Sequence, residues 1–160
     1  MRALLELFVR WAQAAAPLLD LAVRLYVAEV FFRSGVLKLK NWSGTLYLFR
    51  EEYRVPLLPP DLAAWLGTFN ELFFPVLLAL GLAARFAAFA LSIFNVIAVV
   101  AFWHVLKNNE AALNSHLFWG FLLLVILCHG PGKLSVDHWI RGKVYTLRSP
   151  GSPSTPTARS

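Results

Sequence analysis

Charged side chains within long apolar segments are the residues of this sequence with the clearest chemical potential. Arg24, Glu29 and Arg33 lie in the first apolar segment, and Glu71 lies in the second. Each such charge costs about 2.5 to 3.5 kcal/mol at the centre of a membrane helix, so it persists where it is paired, hydrated or used. These four residues are therefore the first candidates for a functional site.

The first segment, read as a helix, has two polar faces. Arg24, Gly35 and Lys38 fall on one stripe, whereas Glu29 and Arg33 lie four residues apart on nearly the opposite face. The four-residue spacing favours a neutralised pair within the helix, and a contact with another chain or a ligand is the alternative. Because a small bundle buries one stripe more readily than two, we expect the Glu29 and Arg33 face to meet a second chain, such as another copy in a homo-oligomer.

Glu71 has unusual surroundings on its own segment. Pro75 lacks the amide that would bond the Glu71 carbonyl, which predicts a kink beside the carboxylate. The next basic residue along that segment, Arg85, lies roughly 21 Å away at 1.5 Å per residue. Glu71 is thus expected to be unpaired unless Arg24 or Arg33 reaches it, and we expect it to matter most for function, as a proton carrier or a charge partner.

Two amides extend this group of polar residues. Glu29 and Glu71 each lie roughly 14 Å from the predicted end of their segment, and Asn70 and Asn95 reach a similar depth. With the arginines of the first segment, these residues predict a polar cluster at the membrane midplane. The cluster is either interhelical hydrogen bonding or a hydrated, ligand-binding cavity, and the sequence leaves both readings open.

The histidine and cysteine pattern predicts no metal site. His104 and His116 flank the connection between the third and fourth segments and could in principle bind haem or a quinone carbonyl. Neither has a second ligand at metal-binding spacing, which favours interfacial histidines. The single cysteine, Cys128, excludes an internal disulfide and a CxxC dithiol pair. Whether the chain is an enzyme stays open.

The elements that must position these residues follow from composition. The 160 residues are 58% apolar and 15% charged, against about 45 to 50% and about 25% in soluble domains. A chain of this size has too much surface to hide such an excess from water, so its solvent must be lipid. We predict an all-α integral membrane four-helix bundle with spans at about 18–39, 62–82, 86–106 and 117–129, and a loop over 41–60.

The regions outside the spans have different compositions. Residues 1–16 place Arg2, Glu6 and Arg10 on one stripe, which predicts an interfacial amphipathic helix ahead of a transmembrane domain at 17–145. Residues 146–160 are rich in Ser, Pro and Thr and are predicted to be a disordered tail.

Charge distribution predicts the partners and the orientation. The net charge is +6, but the basic residues lie at the ends of spans without interleaved aromatics, which favours lipid headgroups over nucleic acid. Lys and Arg are more numerous on the side that holds the termini, so the positive-inside rule predicts an inner (plasma) membrane protein with both termini in the cytoplasm.

Three sequence patterns resemble those of the DoxX family of small four-helix membrane proteins. They are R-x(10)-G-x-x-K in the first span, E…L-G-L…R-x-A in the second, and G-x-G-x-L-S-x-D after the fourth. The similarity extends over about residues 21 to 137, and Glu29 and Arg33 depart from the pattern. The matching residues include Arg24, Gly35 and Lys38; Glu71, Gly81 and Arg85; and Gly130, Gly132, Ser135 and Asp137.

The resemblance implies a subunit or accessory protein of a membrane oxidoreductase. Family members include components of quinone-linked thiosulfate oxidation and of an oxidative-stress complex with superoxide dismutase and a sulfurtransferase. One hypothesis is therefore a redox-linked subunit whose bundle holds a quinone or docks a soluble redox partner. The alternative is a non-enzymatic membrane scaffold, or a small carrier that uses the midplane cluster. In the third pattern, Asp137 is expected to cap a following helix at 137–144.

Overall fold

The computed structural model describes residues 1–148 and is all-helical over that range, with no strand. Residues 149–160, which hold most of the predicted disordered tail, lie outside the described residues. Seven helices are present within the described range: α1 (Arg2–Lys40), α2 (Trp42–Glu51), α3 (Pro60–Leu80), α4 (Ala84–Ala101), α5 (Trp103–Leu106), α6 (Glu110–His129) and α7 (Val136–Arg148).

Four long helices, α1, α3, α4 and α6, form an antiparallel bundle. α1 packs between α3 and α6, and α4 packs between the same two helices on the other side. One end of the bundle carries α2 and α5 and is called the α2 end below. The other carries the turn at Gly81 and helix α7, and is called the α7 end.

The bundle has the burial pattern of a membrane protein. Many inward-facing positions hold small or polar residues: on α4 the buried positions include Ala84, Ala87 and Ala88, while large apolar side chains such as Phe73 and Phe89 point outward. Within residues 1–148, three helices are long and apolar enough to cross a bilayer, namely α3, α4 and α6. The predicted all-α membrane bundle is therefore confirmed.

Helix α1 differs from the expected arrangement because it is continuous. The sequence suggested an amphipathic helix over 1–16 followed by a separate span, but the structure has one helix of 39 residues with Pro17 inside it. The helix continues through Pro17 because proline removes only one intrahelical hydrogen bond. The three alanines before it, Ala14 to Ala16, have the highest helix propensity. At 1.5 Å per residue the helix is about 58 Å long, well beyond a bilayer core of roughly 30 Å.

The α2 end contains more helix than expected. Residues 41–60, interpreted from sequence as a loop, include helix α2, which begins where the Asn41 side chain accepts a hydrogen bond from the Gly44 amide at 3.0 Å. Phe49 of α2 packs against Ala63 and Ala64 of α3. The third predicted span is interrupted at Phe102, between α4 and α5. Helix α2 and the 52–59 loop thus cover one end of the bundle.

Candidate functional site

The carboxylate of Glu71 is paired with Lys38. Lys38 Nζ lies 2.5 Å from Glu71 Oε2, and both side chains are largely buried, with 18% and 7% exposed. Ser34 completes the group: its hydroxyl donates to Glu71 Oε1 at 3.1 Å and accepts from Lys38 Nζ at 3.0 Å. The sequence suggested Arg24 or Arg33 of α1 as the partner of Glu71. The partner is instead Lys38, which lies on α1 with those two arginines.

Gly35 explains how the two helices approach closely enough for this pair. A β-carbon at Gly35 would lie 2.9 Å from the Leu72 side chain and 3.1 Å from Glu71 Cβ. Only glycine fits that contact between α1 and α3 without a shift. Ser34 and Lys38, one turn apart on α1, then lie beside Glu71. The G-x-x-K spacing positions a lysine against the glutamate of the neighbouring helix.

A cavity of about 540 Å³ lies beside the Lys38–Glu71 pair, toward the α2 end. Its walls are mainly apolar and aromatic, and its size falls within the range of about 300 to 1,000 Å³ typical of small-molecule sites. The aromatic side chains are Phe31, Phe49, Phe69, Phe94, Phe102 and Trp119, and the polar ones are Ser34, Lys38, Tyr53, Asn70, Glu71 and His116. This cavity is the candidate functional site.

Asn70 contributes an unused acceptor to the cavity wall. Its Oδ1 is buried and has no hydrogen-bond partner among the described residues. A buried polar atom without a partner costs roughly 1 to 3 kcal/mol, so Oδ1 is available to accept a hydrogen bond from a ligand or a water molecule in the cavity. Asn70 and Glu71, adjacent in sequence, thus lie together at one site.

Asn95 reaches the cavity indirectly, through His116. Asn95 Nδ2 donates to the His116 carbonyl at 2.9 Å, and Asn95 Oδ1 lies 2.8 Å from His116 Nδ1. His116 lines the cavity and its ring packs edge-on against Trp119, with centroids 5.0 Å apart. The sequence predicted an interfacial histidine and did not indicate that His116 lines a cavity. Its contact with Asn95 joins two helices through residues that are 21 positions apart in sequence.

The remaining members of the predicted midplane cluster lie elsewhere. Glu29 and Arg33 form the expected intrahelical ion pair at 3.9 Å, but their side chains are 61% and 76% exposed on the outside of the bundle. Arg24 is only 1% exposed and lies toward the α7 end. Of the predicted cluster, Glu71 and Asn70 lie together at the cavity, and Asn95 lies behind His116. Arg24, Glu29 and Arg33 lie away from the cavity.

Arg24 belongs to a second group of residues, which closes the α7 end and is called the Arg24 clasp (Arg24, Gly81, Leu134, Ser135 and Asp137). Arg24 Nη2 donates to the Leu134 carbonyl at 2.5 Å. Gly81 has φ +69°, and a β-carbon there would collide with Arg24 Nη1 and lie 2.5 Å from Ser135 Cβ. The Asp137 amide donates to the Gly81 carbonyl at 3.0 Å. The clasp thus joins α1, the turn between α3 and α4, and the segment that leads into α7.

Asp137 caps a different helix from the one expected. Its carboxylate accepts hydrogen bonds from the amides of Ala83 and Ala84, at 2.9 and 3.1 Å, and so caps the start of α4. The cap of α7 is Ser135, whose hydroxyl accepts from the His138 amide at 3.2 Å. The sequence-based expectation that Asp137 caps its own helix was wrong, because the α4 N-terminus, 53 residues earlier, lies next to it.

Other family-pattern residues surround the clasp. Gly130 and Gly132 adopt positive φ angles of +95° and +75°, and a β-carbon on Gly132 would meet Asp20 at 2.5 Å. Arg85 donates to the Cys128 carbonyl at 3.4 Å. The pattern residues therefore serve two places: Gly35, Lys38 and Glu71 adjoin the cavity, and the others hold the α7 end together.

Comparisons with known proteins agree with these positions. The family model described as DoxX matches residues 19–104 of this chain. A protein of Haemophilus influenzae, described only as an uncharacterized protein, is 32% identical over 136 residues, which cover 81% of this chain and 87% of that relative. No solved structure matches the chain. With more than half of its length matched and the motif residues gathered at two sites of one membrane bundle, the chain belongs to the DoxX family.

Proposed function

We propose that this protein is a membrane-embedded subunit of a quinone-linked or oxidative-stress oxidoreductase complex, and that its cavity binds the ring of a quinone. The observation that carries this proposal is the aromatic cavity bordered by the Lys38–Glu71 pair and the unpartnered Asn70 Oδ1. Flat aromatic walls suit a ring, since offset stacking and edge contacts stabilise aromatic pairs. A bound quinone supplies two-electron, two-proton redox chemistry.

The polar residues of the cavity have separate roles in this proposal. The ammonium of Lys38 can donate a further hydrogen bond, to a ring carbonyl, while it holds Glu71. Asn70 Oδ1 accepts from a ring hydroxyl. Most of the other lining residues are apolar and keep water away from these contacts, which strengthens them. With a single cysteine, the chain has no dithiol pair of its own, so a partner chain supplies the electron donor or acceptor.

Binding of a short-chain benzoquinone to the protein in nanodiscs tests this proposal, with quenching of tryptophan fluorescence as the readout. We expect saturable quenching, and we expect Asn70→Leu to weaken binding of the reduced form by about 2- to 12-fold, the value of one hydrogen bond. Because the substitution removes an unsatisfied buried acceptor, the ligand-free variant should be no less stable than the wild type.

The matched control is Phe89→Leu, which changes an exposed side chain on the outside of α4 and should leave binding unchanged. Absence of saturable quenching in the wild-type protein would contradict the proposal, and so would equal affinity in Asn70→Leu.

The outward Glu29–Arg33 pair supports a second function, assembly with another chain. A charged pair with most of its surface toward lipid is costly, and a partner helix that covers it removes that cost. A membrane scaffold would need only the Glu29–Arg33 face, through which it binds another chain. A small carrier, the other alternative, would instead bind its cargo in the cavity.

We expect the protein to lose its partner chain when the Glu29–Arg33 face is made apolar. Glu29→Leu combined with Arg33→Leu should lower the mass of the particle seen by native mass spectrometry in mild detergent, while Phe89→Leu, on the outside of α4, should not. An unchanged mass in the double variant would leave the pair as an intrahelical feature.

The orientation is also part of the proposal. The α7 end carries basic residues that include Arg85, Lys133 and Arg141, and by the positive-inside rule this supports a cytoplasmic α7 end in a bundle that spans the inner membrane. In a protein with Cys128→Ser, a cysteine at Ser43 should react with an impermeant maleimide added to intact cells and one at Lys133 should not. The opposite result would reverse the orientation.

A further inference from the structure

The imidazole of His116 is held in one tautomer by Asn95. Asn95 Nδ2 donates to a backbone carbonyl, so its amide group is oriented with Oδ1 toward His116 Nδ1. An amide oxygen can only accept, and therefore Nδ1 carries the proton of this hydrogen bond. In the neutral ring, Nε2 is then left with a lone pair and acts as an acceptor. Nε2 has no hydrogen-bond partner among the described residues.

His116 and the Lys38–Glu71 pair line the cavity from different helices. Helices α1 and α3 pack together and carry Lys38 and Glu71, whereas α4 and α6 pack together and carry Asn95 and His116. All but Asn95 line the same cavity. Aromatic rings line the rest of the cavity, among them Trp119, which packs against the His116 ring. The cavity therefore has a donor from α1 and an acceptor from α6.

We propose that His116 Nε2 is the second anchor of the cavity ligand, and that the ligand is a ring with oxygens on opposite sides, the reduced diol form of a quinone in particular. One ring oxygen contacts Lys38, and the hydroxyl on the far side donates to Nε2. His116 is a ligand-binding residue here, and Asn95 is a positioning residue that keeps the acceptor facing the cavity. This inference rests on the proposed function, because it requires a ring in the cavity.

The test compares the affinities of the reduced and oxidised forms of one short-chain benzoquinone, measured anaerobically in nanodiscs. Only the reduced form can donate to Nε2, so the wild-type protein should bind it more tightly. His116→Asn retains an amide near the position of Nδ1, which preserves the contact with Asn95, but has nothing at the position of Nε2. We expect this variant to lose about 2- to 12-fold in affinity for the reduced form and little for the oxidised form.

His116→Gln is the matched variant, since its longer side chain reaches the position of Nε2 and can accept there. It should retain a preference for the reduced form that His116→Asn lacks. If His116→Asn keeps the wild-type ratio of the two affinities, the role of His116 is wrong while the cavity remains a quinone site. If the wild-type protein binds neither form, the proposed function fails as well.

Discussion

Replacing Glu71 with leucine is expected to destabilise the bundle by about 3 to 5 kcal/mol, the cost of leaving one member of a buried ion pair without its partner. Lys38 is the residue left behind: its ammonium is mostly buried, and its other described partner is the hydroxyl of Ser34. Lys38→Met combined with Glu71→Leu removes both charges. That double variant should recover most of the loss, because apolar replacements of buried pairs are often neutral or stabilising.

Unfolding by titration with sodium dodecyl sulfate in mixed micelles measures these differences. The exposed pair Arg50–Asp61, with nitrogen and oxygen 2.8 Å apart, provides the control, and Asp61→Asn should change stability little. A Glu71→Leu protein as stable as the wild type would show that Lys38 does not depend on the carboxylate. A double variant that is stable but no longer binds quinone would show that the pair serves the ligand.

Glu71→Gln separates the charge from the shape. The amide can still accept a hydrogen bond from Lys38 and keeps the volume of the side chain. Because the amide is neutral, Lys38 loses its counter-charge, so we expect this variant to be less stable than the wild type but more stable than Glu71→Leu. Quinone binding at the wild-type affinity in Glu71→Gln would show that the ligand does not use the charge of Glu71.

Gly81→Ala is expected to lower the free energy of unfolding by roughly 3 to 5 kcal/mol. Two causes add together. The positive φ of +69° costs a residue with a β-carbon about 1 to 2 kcal/mol. The added carbon also takes the space of Arg24 Nη1, so the hydrogen bond from Arg24 to Leu134 must break or move, and bonds to charged groups are worth about 1.5 to 3 kcal/mol.

Gly142→Ala is the corresponding control within α7. A β-carbon there meets no atom of the described residues within 4 Å, and alanine favours helix over glycine by up to about 1 kcal/mol, so this variant should be at least as stable as the wild type. Thermal denaturation in detergent compares the two. An undiminished melting temperature for Gly81→Ala would mean that the clasp does not contribute to stability.

Helical spacing predicted the inward face of the first long helix correctly. Arg24 and Gly35 are buried on one stripe, and Glu29 and Arg33 point outward four residues apart. These properties are local, since they depend only on the period of the helix. The membrane bundle itself followed from composition, because so many apolar residues in so short a chain have no soluble arrangement.

Pairings between helices could not be predicted in the same way. Lys38 reaches Glu71 because Gly35 sets the distance between α1 and α3, and Asp137 caps α4 because the turn before α7 folds back over Gly81. Both contacts depend on the distance between separate helices in the folded protein. The spacing of residues along one helix does not determine that distance. His116 was missed for the same reason, although Ser34 and Lys38, one turn apart on the same helix, could have been recognised as a pair from spacing alone.

The order in which a ribosome makes this chain gives the Arg24 clasp a further consequence. Arg24 and the carbonyl of Leu134 that accepts its hydrogen bond are 110 residues apart. At synthesis rates of about 5 to 20 residues per second, the arginine is made roughly 5 to 20 s before that acceptor. During this interval the first three long helices carry a guanidinium that water or the insertion machinery must solvate. A product that stops before Gly130 lacks the acceptor for Arg24 and leaves α4 uncapped, and membrane quality control has a physical basis for distinguishing it from the finished protein.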